Sequence, residues 1–315
     1  MITIEQAAKT LLQQDNILIL THHFPDGDTL GSGFALCRAL LSLGKKARVC
    51  VVGELPKKFE YLCDGMEQLQ FDEDFICSVD IADESLLGME KERYEGKINL
   101  CIDHHGSNTL YAAESLVDST AAATTEIIIQ IIRQMKAPVT QKIADCIFTG
   151  ITTDTGCFRY TNTTAQSFRT AAEMVECGAR SAEINRVMFD TKSRARLEIE
   201  RMVLDSMEFY AQDRCALICI TRKMIDESGA ENDELEGLAS LPRQVEGVCI
   251  GITLRERRDG AYKVSLRTTD GYNASKLCAL FGGGGHAAAG GCTIDGPLVN
   301  AKQKIIDAAC AALSK

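Results

Sequence analysis

The chain has 315 residues, of which 45% are hydrophobic and 25% charged, and its formal net charge is −10. That length fits two domains or one large one. The composition builds a buried core, which excludes a disordered chain, a collagen-like repeat and a small disulfide scaffold. Proteins that grip long nucleic acids carry a basic surface, so 44 Asp plus Glu against 34 Lys plus Arg leaves short or small anions as the charged ligands to expect.

Thr3 and Gln6 form a capping box that opens a helix running to about Gln14. Asn16–Thr21 is a short apolar run, read as a buried strand, and the polar segment His22–Asp28 follows it. A helical pattern covers Thr29–Leu43 and stops at Gly44. Further strands are expected at Ala47–Val52, Phe75–Val79 and Ile98–Ile102, with helices near 121–135 and 141–152. This alternation predicts an α/β unit with a mainly parallel sheet. A helix from about Ser193 to Tyr210, charged on one side and apolar on the other, is expected to link two domains. Beyond it come strands at Cys215–Thr221, Val245–Arg257 and Tyr262–Thr268, the last two joined by Asp259-Gly260, a hairpin signal. A helix near 273–281, glycines at 282–285 and a last helix from about 298 complete a smaller α+β domain.

No run of 18 apolar residues is present, and Met1–Gln6 lacks a basic stretch followed by an apolar one, so neither a membrane span nor a secretory signal is expected. The 14 cysteines are scattered, often within apolar strands, and no pair has the two-residue spacing of a zinc or redox site. They read as reduced thiols of a cytoplasmic protein.

All five histidines fall in three polar clusters: His22-His23, His104-His105 and His286. The first lies in His22-His23-Phe24-Pro25-Asp26-Gly27-Asp28, directly after a strand and before a helix. Ligand sites of open α/β sheets lie beyond the carboxyl ends of strands. Asp80 ends the strand FICSV, Asp103-His104-His105 ends INLCI, and Asp154 closes another apolar segment. Any one of these Asp residues alone would read as a turn residue. Together they form an imidazole and carboxylate set without thiolate, which suits Mn²⁺, with Mg²⁺, Fe²⁺ or Co²⁺ as competitors. The carboxylates exceed the needs of one ion, and a pair of ions bridged by a carboxylate suits hydrolysis of a phosphate ester. In the second domain, Gly283, Gly284 and Gly285 allow close backbone approach, and with His286 beside them and Arg267 on a nearby strand they read as an anion site. Arg255-Glu256-Arg257-Arg258 flanks the hairpin turn and reads as a solvated edge.

The ordered set His22-x-x-Pro25-Asp26-x-Asp28, Asp80, Asp103-His104-His105 and Asp154 resembles the four motifs of the DHH phosphoesterase superfamily. Val264-Ser-Leu-Arg267 and Gly282-Gly-Gly-Gly-His286 resemble the DHHA1 substrate-binding domain. The likeness covers nearly the whole chain, and the two-domain layout is most similar to the nanoRNase/pAp phosphatase group. It implies a DHH catalytic domain over 1–192, a linker helix over 193–212 and a DHHA1 domain over 213–315, with the cleft between the two domains. It implies one ion held by His22, Asp26 and Asp80, and another by Asp28, Asp80, His104 and Asp154, with Asp80 bridging. His22 is preferred to His23 because its spacing to Pro25 and Asp26 matches. Asp103 would orient a ligand histidine and His105 would face the scissile phosphate. Arg267, Gly283, Gly284, Gly285 and His286 would hold substrate, and the Arg159–Thr163 segment resembles one that lines the family's cleft.

The implied activity is hydrolysis of short oligoribonucleotides to mononucleotides and of 3′-phosphoadenosine 5′-phosphate to AMP, with two Mn²⁺ as cofactors. A cyclic- or linear-dinucleotide phosphodiesterase is the alternative within the enzyme class, and a non-catalytic nucleotide sensor the alternative outside it. Neither long nucleic acid nor a membrane is an expected partner, and a homodimer is left open.

Overall fold

A computed structural model describes residues 1–67, 69–235, 237–269 and 271–314. It divides into two compact units, Met1–Thr191 and Lys192–Lys315.

In chain order the first unit holds α1 (Ile4–Gln13), β1 (Ile17–Leu20), α2 (Gly27–Ser42), β2 (Ala47–Cys50), β3 (Phe75–Val79), α3 (Lys91–Tyr94), β4 (Leu100–Asp103), β5 (Glu114–Val117), α4 (Thr124–Gln134), α5 (Gln141–Asp154), α6 (Ala165–Glu176) and α7 (Ser181–Asn185). The Thr3/Gln6 capping box is present, with each side chain receiving the other residue's backbone N–H. All five strands are parallel, in the order β2-β1-β3-β4-β5. Strand β1 is buried along its whole length because both faces are covered. Ile17 and Ile19 pack with α1, α2, α4 and α5, while Leu18 and Leu20 pack with Ile76, Ile81, Leu87 and Tyr94 on the other face. Each such side chain contributes roughly 1.5–3 kcal/mol by leaving water. In this strand order the chain reverses direction of travel between β1 and β3, where open α/β sheets bind their ligands.

Helix α2 starts two residues earlier than the apolar pattern indicates, because Asp26 caps it by accepting from the backbone N–H groups of Asp28 and Thr29. Helix α4 starts at Thr124, later than expected, because Asp118 holds Thr120 in a turn before it. Close approach of α2 and α5 depends on Gly31 and Gly150. A Cβ at Gly31 would lie 2.4 Å from the Cys146 carbonyl oxygen, and one at Gly150 would meet Thr125 and Asp28.

The second unit holds α8 (Arg194–Asp205), β6 (Glu208–Tyr210), β7 (Cys215–Ile220), α9 (Arg222–Ser228), β8 (Ile250–Glu256), β9 (Tyr262–Thr268), α10 (Ala274–Ala279), β10 (Gly284–Gly285), β11 (Ala289–Ile294) and α11 (Leu298–Leu313). Its mixed sheet runs β10-β11-β9-β8-β7-β6. The helix expected to extend to Tyr210 ends at Asp205, and residues 208–210 instead pair with β7 as an antiparallel strand. That helix buries Ile199 and Val203 against Ile218, Ile220, Ile225 and Leu238. The Asp259-Gly260 hairpin forms between β8 and β9, with Gly260 at φ +82°. These two strands are interior to the sheet, so reading Arg255–Arg258 as an edge is corrected. Only Arg257 and Arg258 emerge at the exposed hairpin tip, while Arg255 is half-buried.

Candidate functional site

The carboxyl ends of β1, β3 and β4 lie side by side, with Leu20 opposite Ser78 and Val79 opposite Ile102. His22, Asp80 and the Asp103-His104-His105 run leave the sheet at those three ends. Asp26 and Asp28 come from the start of α2, and Asp154 is the last residue of α5. Three overlapping sets follow: His22/Asp26/Asp80, Asp28/His104/Asp154 and Asp80/His104/His105, with the candidate ligand atoms of each set within 4.8 Å of one another.

Asp80 lies at the centre. Its Oδ2 is 3.6 Å from His22 Nε2, and its Oδ1 is 3.6 Å from His104 Nε2. His22 Nε2 is also 3.7 Å from Asp26 Oδ2. His104 Nε2 is 3.4 Å from Asp154 Oδ2 and 3.9 Å from Asp28 Oδ2. Most of these separations exceed a hydrogen bond. Two atoms each about 2.1 Å from one ion, at right angles or wider, lie about 3 Å or more apart. The donor set therefore fits divalent metal ions, and it does so on both sides of Asp80. Asp80 adopts φ +60°, a conformation Asp tolerates better than most residues, and its N–H is bound by the Ile102 carbonyl.

Side chains that the sequence did not single out hold the carboxylates. Asp28 is fully buried and accepts from Thr124 N at 2.6 Å, Thr125 N at 2.9 Å and Thr125 Oγ1 at 2.9 Å. It thus caps α4 from another element, where the residue before that helix, Ala123, has no capping side chain. Thr124 Oγ1 donates to Asp80 Oδ1 at 2.9 Å. The signal available in the sequence was a Thr-Thr pair at a helix start that lacked a polar cap.

Of the two neighbouring histidines, Asp103 holds the ring of His105 and not that of His104. Its Oδ1 binds His105 Nδ1 at 2.8 Å and reaches His104 only through the backbone N–H, while its Oδ2 accepts from Asn108 Nδ2 at 2.6 Å. The ring of His104 is held by the Ala121 carbonyl at Nδ1, 3.2 Å away, which leaves Nε2 facing the carboxylates. His23 turns away from the cluster, its Nδ1 2.8 Å from the Leu86 carbonyl oxygen, and only His22 faces Asp26 and Asp80.

Crowded charge shapes the protonation of the metal-free cluster. Burial, then the charges of Asp80, Asp154 and Asp26, raise Asp28 well above the usual carboxylate range. Burial, then Asp80 and Asp26, raise Asp154 to about 8. Burial opposes the charged form of His22, but Asp26 and Asp80 outweigh it and raise the imidazole to about 9. The hydrogen bond that His105 donates to Asp103 is the main cause that raises its imidazole to about 9.

In the second unit, Arg267 on β9 lies opposite Ala289 of β11 and Gly251 of β8 and is half-buried. Gly284 and Gly285 pair with Gly291 and Gly290, and the His286 N–H donates to the Ala289 carbonyl, so the glycine turn and Arg267 share one stretch of β11. Gly283 has no room for a side chain, since a Cβ would sit 2.2 Å from the Gly291 carbonyl oxygen. Gly285 has φ +133°, which favours glycine. Gly284 faces open space, and His286 is exposed. In the Arg159–Thr163 segment, Asn162 Nδ2 donates to the Asp154 and Ala122 carbonyls, while Arg159 Nε donates to the Gly156 carbonyl and its guanidinium lies 5.8 Å from the Phe189 ring centre.

Residues 16–151 match the model of the DHH family N-terminal domain, and residues 216–315 match the DHHA1 domain. The chain is 36% identical to the bifunctional oligoribonuclease and PAP phosphatase NrnA of Thermus thermophilus, over 93% of this chain and 88% of that one. It is 27% identical to the probable bifunctional oligoribonuclease and PAP phosphatase NrnA of Streptococcus mutans, over 90% and 93% of the two chains. Its fold is similar to the crystal structure of an exopolyphosphatase-related protein from Bacteroides fragilis, with a TM-score of 0.87 and 25% identity over 99% of this chain and 97% of that one. The chain belongs to the DHH family of phosphoesterases, with an N-terminal DHH domain followed by a DHHA1 domain.

Proposed function

We propose that the chain hydrolyses short oligoribonucleotides to mononucleotides and 3′-phosphoadenosine 5′-phosphate to AMP, with two divalent ions, Mn²⁺ first among them. The observation that carries this reading is the single carboxylate of Asp80, one oxygen facing His22 and the other His104. On this reading His22, Asp26 and Asp80 hold one ion, and Asp28, Asp80, His104 and Asp154 the other. The chemistry such ions supply when bound is a more acidic attacking water and compensation of charge on phosphoryl oxygens. Asp103 keeps His105 cationic and oriented, so that its free Nε2–H donates to a phosphate oxygen. Arg267, His286 and the backbone of Gly283, Gly284 and Gly285 bind a second phosphate or the sugar of the nucleotide. The free thiols support a reducing compartment, and the cytoplasm is the location we assign. Among the described residues no helix is long and apolar enough to cross a membrane.

The test is a Mn²⁺ assay on dinucleotides, a pentamer, an RNA of about two dozen nucleotides, phosphoadenosine phosphate, cyclic di-AMP and pyrophosphate. Rates should be highest on the shortest RNAs and on phosphoadenosine phosphate, and fall steeply with length. Preference for cyclic di-AMP would establish the cyclic-dinucleotide alternative, and binding without turnover the sensor. Asp80→Asn should cut hydrolysis by on the order of 100- to 1000-fold while the circular dichroism spectrum is retained, since both ions lose a ligand. Near wild-type turnover would rule out the bridge.

A further inference from the structure

A cavity of about 370 Å³ opens in the second unit and is lined by Arg222, Asn232, Arg255, Glu256, Arg257, Arg258 and Lys263. Its volume is that of a small-molecule site. Its charge is unusual for a chain of net −10, since five cationic side chains surround one carboxylate. The sheet register explains the clustering. Arg255 of β8 lies directly opposite Lys263 of β9 and next to Ile220, the last residue of β7, and Arg222 begins the helix that follows that strand. Two interior strands therefore hold Arg255 and Lys263 side by side, while Arg222 comes from α9 and Arg257 and Arg258 from the hairpin tip.

These cations are poorly neutralised. Arg257 is spent on Asp259, 2.9 Å away outside the cavity. Glu256 accepts the Arg222 backbone N–H at 2.8 Å, so its carboxylate is already engaged. The Arg222 guanidinium has only a 3.7 Å contact with the exposed Asp226. Arg255 binds a neutral partner, the Asn232 side-chain oxygen at 2.9 Å, and among the described residues neither Lys263 nor Arg258 has an ion-pair partner. Burial and the neighbouring Arg222 charge hold the Arg255 guanidinium below its ordinary value, as expected where cations face each other without an anion between them. Forked guanidinium donors with an ammonium beside them match adjacent phosphate groups. Every lining residue carries a polar or charged side chain.

We propose that this cavity binds a diphosphate group, as carried by inorganic pyrophosphate or a nucleoside diphosphate, through residues other than the Asp/His cluster and Arg267. The proposal does not rest on the phosphoesterase reading, because binding is to be measured on full-length protein stripped of metal with EDTA. Calorimetric titration with inorganic pyrophosphate should show saturable binding, weakened about 10-fold or more by Arg255→Gln and independently by Lys263→Gln. In Arg267→Ala the binding component that Arg255→Gln and Lys263→Gln remove should persist. Titration with orthophosphate should be weaker than with pyrophosphate, and a nucleoside diphosphate should compete with pyrophosphate. No saturable binding, binding unaffected by both cavity variants, or loss in Arg267→Ala instead would each overturn the proposal. So would an RNA pentamer that binds more tightly than pyrophosphate and depends on the same two residues, since the cavity would then be an RNA backbone groove.

Discussion

Asp28 and Thr125, 97 residues apart in sequence, meet through two hydrogen bonds to one oxygen, from the Thr125 N–H and its Oγ1, each 2.9 Å long. The start of α4 is thereby tied to the start of α2, and a carboxylate with no exposure is given donors that share its charge. Thr125→Val keeps the shape and the backbone bond but removes Oγ1. Metal affinity, measured by titration of the stripped protein, should fall about 10- to 100-fold. Thr125→Ser should restore it. Stability should fall by about 1–3 kcal/mol through the under-satisfied buried carboxylate.

The metal-free protein should lose stability as pH rises across neutrality. Asp154 is raised to about 8, and His22 and His105 to about 9. Each raised group binds its proton more tightly folded than unfolded. Its contribution is therefore full below the unfolded value and is lost as pH climbs through the folded one. The loss begins above about 3.8, where unfolded aspartate titrates, through Asp154, steepens above about 6.5 as the two histidines join, and is complete near 9. Melting in EDTA should show Tm falling through that range, by about 2–4 °C per kcal/mol for a unit of this size. Divalent metal should raise Tm most at the alkaline end. A flat profile in EDTA would show that the carboxylates are not crowded as described.

Asp103 and His105 predict a change in pH profile. The Asp103 hydrogen bond is the main cause of the raised His105 value, so Asp103→Asn should let the imidazole lose its proton at lower pH. If protonated His105 donates to the phosphate, the alkaline limb of kcat/KM should move to lower pH and the plateau should fall. Metal content should stay near wild type, because Asp103 is not in any of the three ligand sets. An unmoved alkaline limb would remove His105 from that role.

Arg267 separates binding from metal loading. Arg267→Ala should lower kcat/KM on phosphoadenosine phosphate and dinucleotides by about 10- to 150-fold, the cost of a charge-assisted phosphate contact. Bound metal in the purified variant should be unchanged. A small chromogenic phosphodiester without a second phosphate should be cleaved almost normally. His286→Ala should behave in the same way, and loss of metal from either variant would contradict the division of roles.

Much of this was written locally in the chain. The apolar runs of β1, β3 and β4, each ended by His or Asp, the Thr3/Gln6 capping box and the Asp259-Gly260 hairpin all act over a few residues, and the structure contains each of them. The ligand candidates were legible for the same reason, since a polar residue at a strand end points beyond the sheet whatever else the fold does. Only the tertiary structure decided the order β2-β1-β3-β4-β5, which sets His22 beside Asp80 and Asp80 beside His104. It also decided that Asp28 caps a helix far along the chain, that Asp103 grips His105 rather than the His104 ring, and that Arg255 lies on an interior strand opposite Lys263. Those contacts close loops of tens of residues or turn on which of two neighbouring rings finds an acceptor. Residue patterns of period 2 or 3.6 carry no information about such choices, and close packing of the whole unit makes them.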